Sequence, residues 1–162
     1  MLAASVSTLL TQDRMRQWHV VNEVDLALLR CPLCKGQQDS HEHLFFECLF
    51  SVQVWNLVMD MAGMRGISSK WSDIVAWLLP ISRQNKVTTI VGRLLVAASS
   101  YFVWQERNNR IHGKCGRQPD EVAKSIVDTV RLKLATIRFK KNARVEQMKR
   151  TWKIANVQVE MS

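Results

Sequence analysis

Apolar side chains recur at helical spacing in three long stretches of this 162-residue chain. The first stretch runs from His43 to Met61, the second covers residues 87–112, and the third starts at Pro119 and reaches residue 153. A repeat of three to four residues is typical of helices that bury one face. No stretch alternates apolar and polar residues regularly enough to predict a sheet. The pattern therefore predicts a mainly α-helical fold.

Each long stretch has a stripe that we expect to face the core. In the first, the stripe is Phe45, Leu49, Val52 and Met59, with Leu44, Trp55 and Val58 beside it. In the second, it is Ile90, Leu94, Ala97, Tyr101 and Trp104. In the third, it is Val122, Ile126, Val130, Leu134 and Ile137.

Glycine and proline residues mark the expected ends of these helices. Gly63 and Gly113 lie where a left-handed helix stop is expected. Pro119, followed by two acids, suits the first turn of a helix, because proline fixes the backbone and acids favour the positive helix end. Shorter helices are expected over residues 2–18 and 71–79. We predict a metal-binding module over residues 1–65, a helical extension over 66–113 and a C-terminal helix over 119–153 that changes from amphipathic to basic.

The charge is concentrated near the C-terminus. The chain has a formal net charge of +9 and an isoelectric point near 9.8. Residues 131–153 contain nine basic residues against the single acid Glu146, a difference of +8. Such a basic segment favours an anionic partner, and phosphate contacts are the expected mode. The alternative is a frayed, solvated helix whose lysines only keep the protein soluble.

The residues we predict to contact RNA or DNA lie within this segment. They are Arg131, Arg138, Lys140, Lys141, Arg144, Lys149, Arg150, Trp152 and Lys153. Trp152 stands among the basic residues and is the candidate for stacking on a base.

Three cysteines and a histidine lie within eighteen residues, in the spacing C-x2-C-x8-H-x4-C. The residues are Cys31, Cys34, His43 and Cys48, and this donor set suits one tetrahedral Zn²⁺ ion. Four protein ligands leave no open position, so the predicted metal is structural. His41 competes with His43 as the third ligand, but it lies two helical turns from Cys48, on the order of 10 Å of rise. The alternatives are three buried thiols without metal, or a redox C-x-x-C pair, for which the preceding strand is missing.

The sequence lacks the motifs that several other classes of function require. The N-terminus has no basic region before its apolar residues, so we expect no secretory signal, an intracellular location and no stable disulfides. The 14 acidic residues include no paired aspartate motif for two-metal catalysis, and no glycine-rich phosphate loop is present. We expect neither a small-molecule substrate nor membrane insertion, because the uncharged run over residues 94–105 is shorter than the ~20 residues of a spanning helix.

Several motifs resemble the reverse-transcriptase zinc-binding domain of plant non-LTR (LINE-type) retroelements. They are Leu10–Met15 with Trp18, Cys31–Cys34, Glu42–Cys48, Val54-Trp55 and, further on, Tyr101–Asn108. The resemblance implies that Cys31, Cys34, His43 and Cys48 bind zinc and that the segment assists RNA or DNA binding. In that family an RNA-directed DNA polymerase lies upstream. This sequence lacks the polymerase portion, so we expect a noncatalytic module, with a structural or protein-interaction remnant as the alternative.

Overall fold

The computed structural model describes residues 30–64, 66–81 and 86–154. The expected helix over residues 2–18 lies outside these residues. The described part is mainly helical, as predicted. Its α-helices are α1 (Leu49–Val58), α2 (Trp71–Ile81), α3 (Val87–Ile111), α4 (Pro119–Ala135) and α5 (Ala143–Thr151). A π-helical turn, His43–Glu47, precedes α1, and a 3₁₀ turn, Met59–Ala62, follows it.

Helix α4 packs against both α1 and α3, and these two pairs form the most extensive helix contacts of the described residues. The apolar side chains of α1, α3 and α4 join those of α5 in one continuous core. The loop that carries Cys31 and Leu33 contributes to the same core. The metal-ligand segment is therefore packed directly on the helices.

The predicted helix ends are largely confirmed. Gly63 and Gly113 adopt φ of 71° and 68°, the left-handed conformation that stops a helix. Helix α4 begins at Pro119 with a capping box in which the side chains of Gln118 and Glu121 each bond to the other residue's backbone. Its buried residues Val122, Ile126, Val130 and Leu134 belong to the predicted stripe, whereas Ile137 follows the end of the helix and is only partly buried.

The predicted stripe of the first helix is only partly correct, because Phe45 is buried and Met59 packs against the core but Leu49 does not. Leu49 is 73% exposed, whereas Val54 and Val58 are fully buried. The expected continuous helix is interrupted, because the π-helical turn is followed by Cys48 in an extended conformation before α1 begins. This interruption changes the register, so the residues predicted to flank the stripe, Trp55 and Val58 among them, are the ones that face the core.

The stripe predicted for the second long helix lies at the edge of the buried face, where Ile90, Leu94 and Trp104 are only partly buried. Tyr101 is 49% exposed, and the buried apolar residues of α3 lie on the adjacent stripe, which contains Val91, Leu95 and Val103. By length and composition, α3 also meets the requirements for a membrane span. Half of the qualifying window is buried inside the fold, as in the core helix of a soluble protein.

The predicted C-terminal helix is two helices. Helix α4 ends at Ala135, and α5 begins at Ala143 after an irregular connection. Asn142 caps α5 by accepting a hydrogen bond from the backbone N–H of Val145 at 2.9 Å. Helix α5 also buries apolar side chains, Val145 and Met148, so it is amphipathic as well as basic.

Candidate metal centre

Cys31 and Cys34 lie on a tight turn. The backbone N–H of Cys31 donates to Gln37 O, and that of Lys35 donates to Cys31 O, each at 2.7 Å. Lys35 adopts a left-handed φ of 58°, which turns the chain back on itself. A bridge between Arg30 and Gln38 closes the loop. The C-x2-C spacing thus places both sulfurs on the same side of one turn.

His43 and Cys48 are brought together by the π-helical turn. Its closing bond runs from the Cys48 N–H to His43 O at 2.7 Å, which spans five residues. An ordinary α-helix closes over four residues, so this turn is one residue wider. Ser40 anchors its start, accepting from the His43 N–H at 3.2 Å and, through its carbonyl, from the Leu44 N–H at 2.8 Å.

The structure brings all four predicted ligands together. Their donor atoms lie within 4.8 Å of one another. The Sγ atoms of Cys31 and Cys48 are 3.8 Å apart, and Cys34 Sγ lies 3.2 Å from His43 Nε2. Sulfurs bound tetrahedrally to Zn²⁺ at about 2.3 Å would be about 3.8 Å apart. None of these thiols forms a disulfide. The cluster can therefore hold one metal ion.

The pKa shifts of the clustered thiols also favour the binding of a cation. A hydrogen bond to the Cys48 sulfur, together with burial, raises the pKa of Cys31. The same bond, with backbone N–H groups of Ser51 and Phe50 at the start of α1, lowers the pKa of Cys48 despite its burial. Two buried sulfurs this close disfavour each other's ionisation unless an opposing charge is present. A divalent ion supplies that charge and allows several thiolates to form.

The positions of His41 and His43 show which of them can serve as the third metal ligand. His43 is buried and belongs to the cluster, whereas His41 does not. The His41 ring instead contacts Phe45 edge to face, with ring centroids 5.0 Å apart. The donor set is thus three cysteines and His43, with His43 Nε2 as the donor nearest Cys34.

Residues of α3 that the sequence analysis did not assign to the site also contact the metal-ligand segment. Arg107 pairs with Asp39, and Arg110 donates to the carbonyl of Leu33, between the first two cysteines. The available signal was spacing, because Glu106 and Arg107 lie three and four residues after the apolar Val103 and so share its face of the helix. Both are almost fully buried.

Most of the predicted nucleic-acid-binding residues are exposed. The exposed ones lie on the connection after α4, on α5 and just beyond it: Arg138, Lys140, Lys141, Arg144, Arg150 and Lys153. Two others make ion pairs and are partly covered. Arg131 pairs with Asp128 at 2.8 Å and donates to Trp152 O, and Lys149 lies 3.6 Å from Glu146.

The stacking role predicted for Trp152 is not compatible with the structure. Its side chain is 1% exposed, and its indole N–H donates to Met61 O at 3.2 Å. A ring packed in the core has no face available to a base. Trp152 instead joins Val145 and Met148 in docking α5 onto the core. The apolar contacts expected beyond residue 140 are thus structural.

Comparison with known proteins identifies one family. No curated protein and no solved structure matches the chain. One family model matches part of the chain. The matched part is about a third of the sequence and includes all four donor residues. This family match, together with the cluster of three cysteines and one histidine, indicates that the metal is zinc. Residues 2–55 match the model of the family described as zinc-binding in reverse transcriptase.

Proposed function

We propose that this chain is a noncatalytic zinc-binding module that assists RNA or DNA binding. We further propose that it derives from the reverse transcriptase of a plant LINE-type retroelement, on the motifs described above. The family match covers the zinc-binding segment and includes no polymerase domain. Zinc, held by four protein ligands, shapes the fold, and the basic C-terminal region contacts phosphates.

The observation that carries the nucleic-acid role is the arrangement of charge around α5. Val145, Met148 and Trp152 are buried against the core, so this short helix is docked. The exposed basic residues are held on the outside of the docked segment, with Glu146 as the only acid among residues 131–153. A fixed array of this kind attracts a polyanion with less loss of conformational freedom than a flexible tail.

The proposal is tested by measuring binding to labelled single-stranded and double-stranded RNA and DNA across a salt series. The test variant replaces Lys140, Lys141, Arg144 and Arg150 with glutamine. If all four contact phosphates, the slope of log K against log salt falls in magnitude by about 3. Affinity at low salt falls with it.

A matched control removes the same charge elsewhere. Lys70, Lys86, Lys114 and Lys124 are all exposed and lie outside the basic segment. Replacing these four with glutamine should leave most of the affinity and the salt slope in place. Equal losses in the two variants would mean that binding follows net charge alone. Absence of binding at low salt in the unmodified protein would reject the nucleic-acid role and favour the structural or protein-interaction alternative.

A further inference from the structure

The C-terminal part of α3 carries charged side chains in the interior of the protein. Glu106 is fully buried, and Arg107 is 3% exposed. Burying a charge is costly unless it is paired and hydrogen-bonded, so such residues call for identified partners. Arg107 and Arg110 each have one partner on the metal-ligand segment, Asp39 and the carbonyl of Leu33, about seventy residues earlier in the chain.

Arg107 is held against Asp39. Its Nε lies 3.1 Å and 3.4 Å from the two carboxylate oxygens of Asp39, and its Nη2 also contacts that carboxylate. Asp39 is 3% exposed, so the pair is shielded from solvent on both sides. Asp39 directly precedes Ser40, which anchors the turn that carries His43. The arginine thus fixes the start of one ligand-bearing segment.

Arg110 contacts both halves of the metal site. Its Nη1 donates to Leu33 O at 3.0 Å, within the turn that carries the first two cysteines. Its guanidinium lies 4.7 Å from the ring centroid of Phe50, two residues after Cys48. A planar guanidinium can make such hydrogen bonds while stacking on an aromatic ring, which a lysine ammonium cannot do in the same way.

Glu106 fixes the position of Arg110. Its Oε1 accepts from Arg110 Nε at 3.0 Å, and its Oε2 accepts from Arg117 Nε at 3.0 Å. Arg110 also donates through Nη2 to the carbonyl of Arg117 at 2.9 Å. Arg117 therefore belongs to the same network, but its described hydrogen bonds go to Glu106, Ser125 and Gln105, none of which lies in the metal-ligand segment.

We propose that Arg107 and Arg110 are positioning residues for the zinc centre. They hold the two ligand-bearing segments in register, so the zinc affinity of residues 31–48 depends on a helix outside the family match. The mechanism is geometric: the arginines reduce the number of arrangements that the four donors sample before the ion binds. This inference rests on zinc binding and is independent of any role in nucleic-acid binding.

The test uses the full chain and two separate variants, Arg107→Gln and Arg110→Gln. Zinc affinity is measured by competition with a chromophoric chelator. Each variant should bind zinc about 10- to 100-fold more weakly, the usual effect of removing a group that orients metal ligands. The visible spectrum of the Co²⁺-substituted protein should also lose intensity, because the tetrahedral arrangement is less well defined.

The matched control is Arg117→Gln, which disturbs the same buried Glu106 and replaces a side chain about as exposed as that of Arg110. It should lower thermal stability while leaving the zinc affinity within about threefold of the unmodified protein. If all three variants lose stability and none differs from the others in zinc affinity or Co²⁺ spectrum, the arginines serve only the fold and the proposal is rejected.

A measurement on the unmodified protein covers the case in which the variants do not fold. Hydrogen exchange is followed with zinc bound and after chelation. Removing zinc should increase exchange in residues 104–111 of α3 more than in α2, which packs against α3. An increase no larger in residues 104–111 than in α2 would overturn the proposal.

Discussion

The patterns of residues 43–61 and of helix α4 both predict a helix with one buried face, yet only in α4 is the predicted face buried throughout. The stripe through Val122, Ile126 and Val130 is buried as expected. In the earlier segment, Leu49 was expected in the core and is 73% exposed. The two segments differ in what they must position. Helix α4 only has to bury one face, whereas the earlier segment must also deliver His43 and Cys48 to one point.

The metal donors account for the difference. Turning His43 and Cys48 towards one centre requires a π-helical turn and an extended residue at Cys48. Each departs from the regular rotation per residue that the periodicity argument assumes. The apolar face is consequently rotated between the two sides of Cys48. A hydrophobic pattern is thus a weaker guide where side chains have another geometric task.

The largest effect should come from removing a metal ligand. Cys34→Ser deletes one of three sulfurs, and zinc binding in small modules is worth on the order of 10 kcal/mol of folding free energy. Zinc content, measured by elemental analysis, should fall from about one ion per chain to near zero. The region around residues 31–48 should lose its structure, while circular dichroism retains much of the helical signal of α3 and α4.

The matched control for this variant is Cys115→Ser. Cys115 is an exposed free thiol outside the cluster, so its loss should leave zinc content and helical signal unchanged. A Cys34→Ser protein that keeps a full complement of zinc would show that the ligand assignment is wrong.

The next effect tests α4 through its hydrophobic core. Ile126 is fully buried, and Ile126→Ala should lower the free energy of unfolding by about 2–5 kcal/mol, because it leaves a cavity. Zinc content should stay at about one ion per chain, since the donors are intact. Leu132→Ala, at a position 71% exposed on the same helix, should change stability by less than about 0.5 kcal/mol. Similar losses for both variants would contradict the observed face of α4.

A smaller effect should come from Glu106→Gln. Burial would raise the pKa of Glu106, but hydrogen bonds from Arg117 and Arg110 outweigh it, and the pKa lies below its ordinary value of 4.5. The carboxylate therefore stabilises the fold above pH 4.5, and this contribution is lost as the pH falls through its lowered pKa. We expect the free energy of unfolding of the variant to be about 2 kcal/mol lower at neutral pH. This is less than the usual cost of breaking a fully buried ion pair, because both arginines are partly exposed.

The pH dependence of this difference in unfolding free energy tests the prediction. Urea unfolding of the unmodified and variant proteins should show a difference that shrinks as the pH falls below 4.5. A difference that stays constant down to strongly acidic pH would contradict an ionised Glu106 in the folded protein.

The smallest effect concerns the docked helix that carries the basic surface. Asn142→Ala removes the N-terminal cap of α5 and should cost about 1 kcal/mol. Hydrogen exchange should report faster opening of α5, with α4 unaffected. Asn142→Asp retains an acceptor for the Val145 N–H and should preserve the stability. Equal exchange in the Ala and Asp variants would mean that the cap does not hold this helix.

The sequence was sufficient for the features that depend on local chemistry. Cysteine and histidine spacing identified the donors, because metal coordination accepts few residue types at short separations. Glycine and proline positions gave the helix ends, since their backbone preferences act within one or two residues. The stripe of α4 followed from its regular period, and the basic character of residues 131–153 is a property of composition.

Tertiary structure decided what depends on contacts between distant residues. The choice of His43 over His41, the burial of Trp152 and the register of α1 all follow from which surfaces pack together. The pairing of Arg107 with Asp39 spans 68 residues, and nothing in the periodicity of either segment predicts it. Local preferences limit each segment to a few conformations, and the packing of the core and the convergence of the metal donors select one of them.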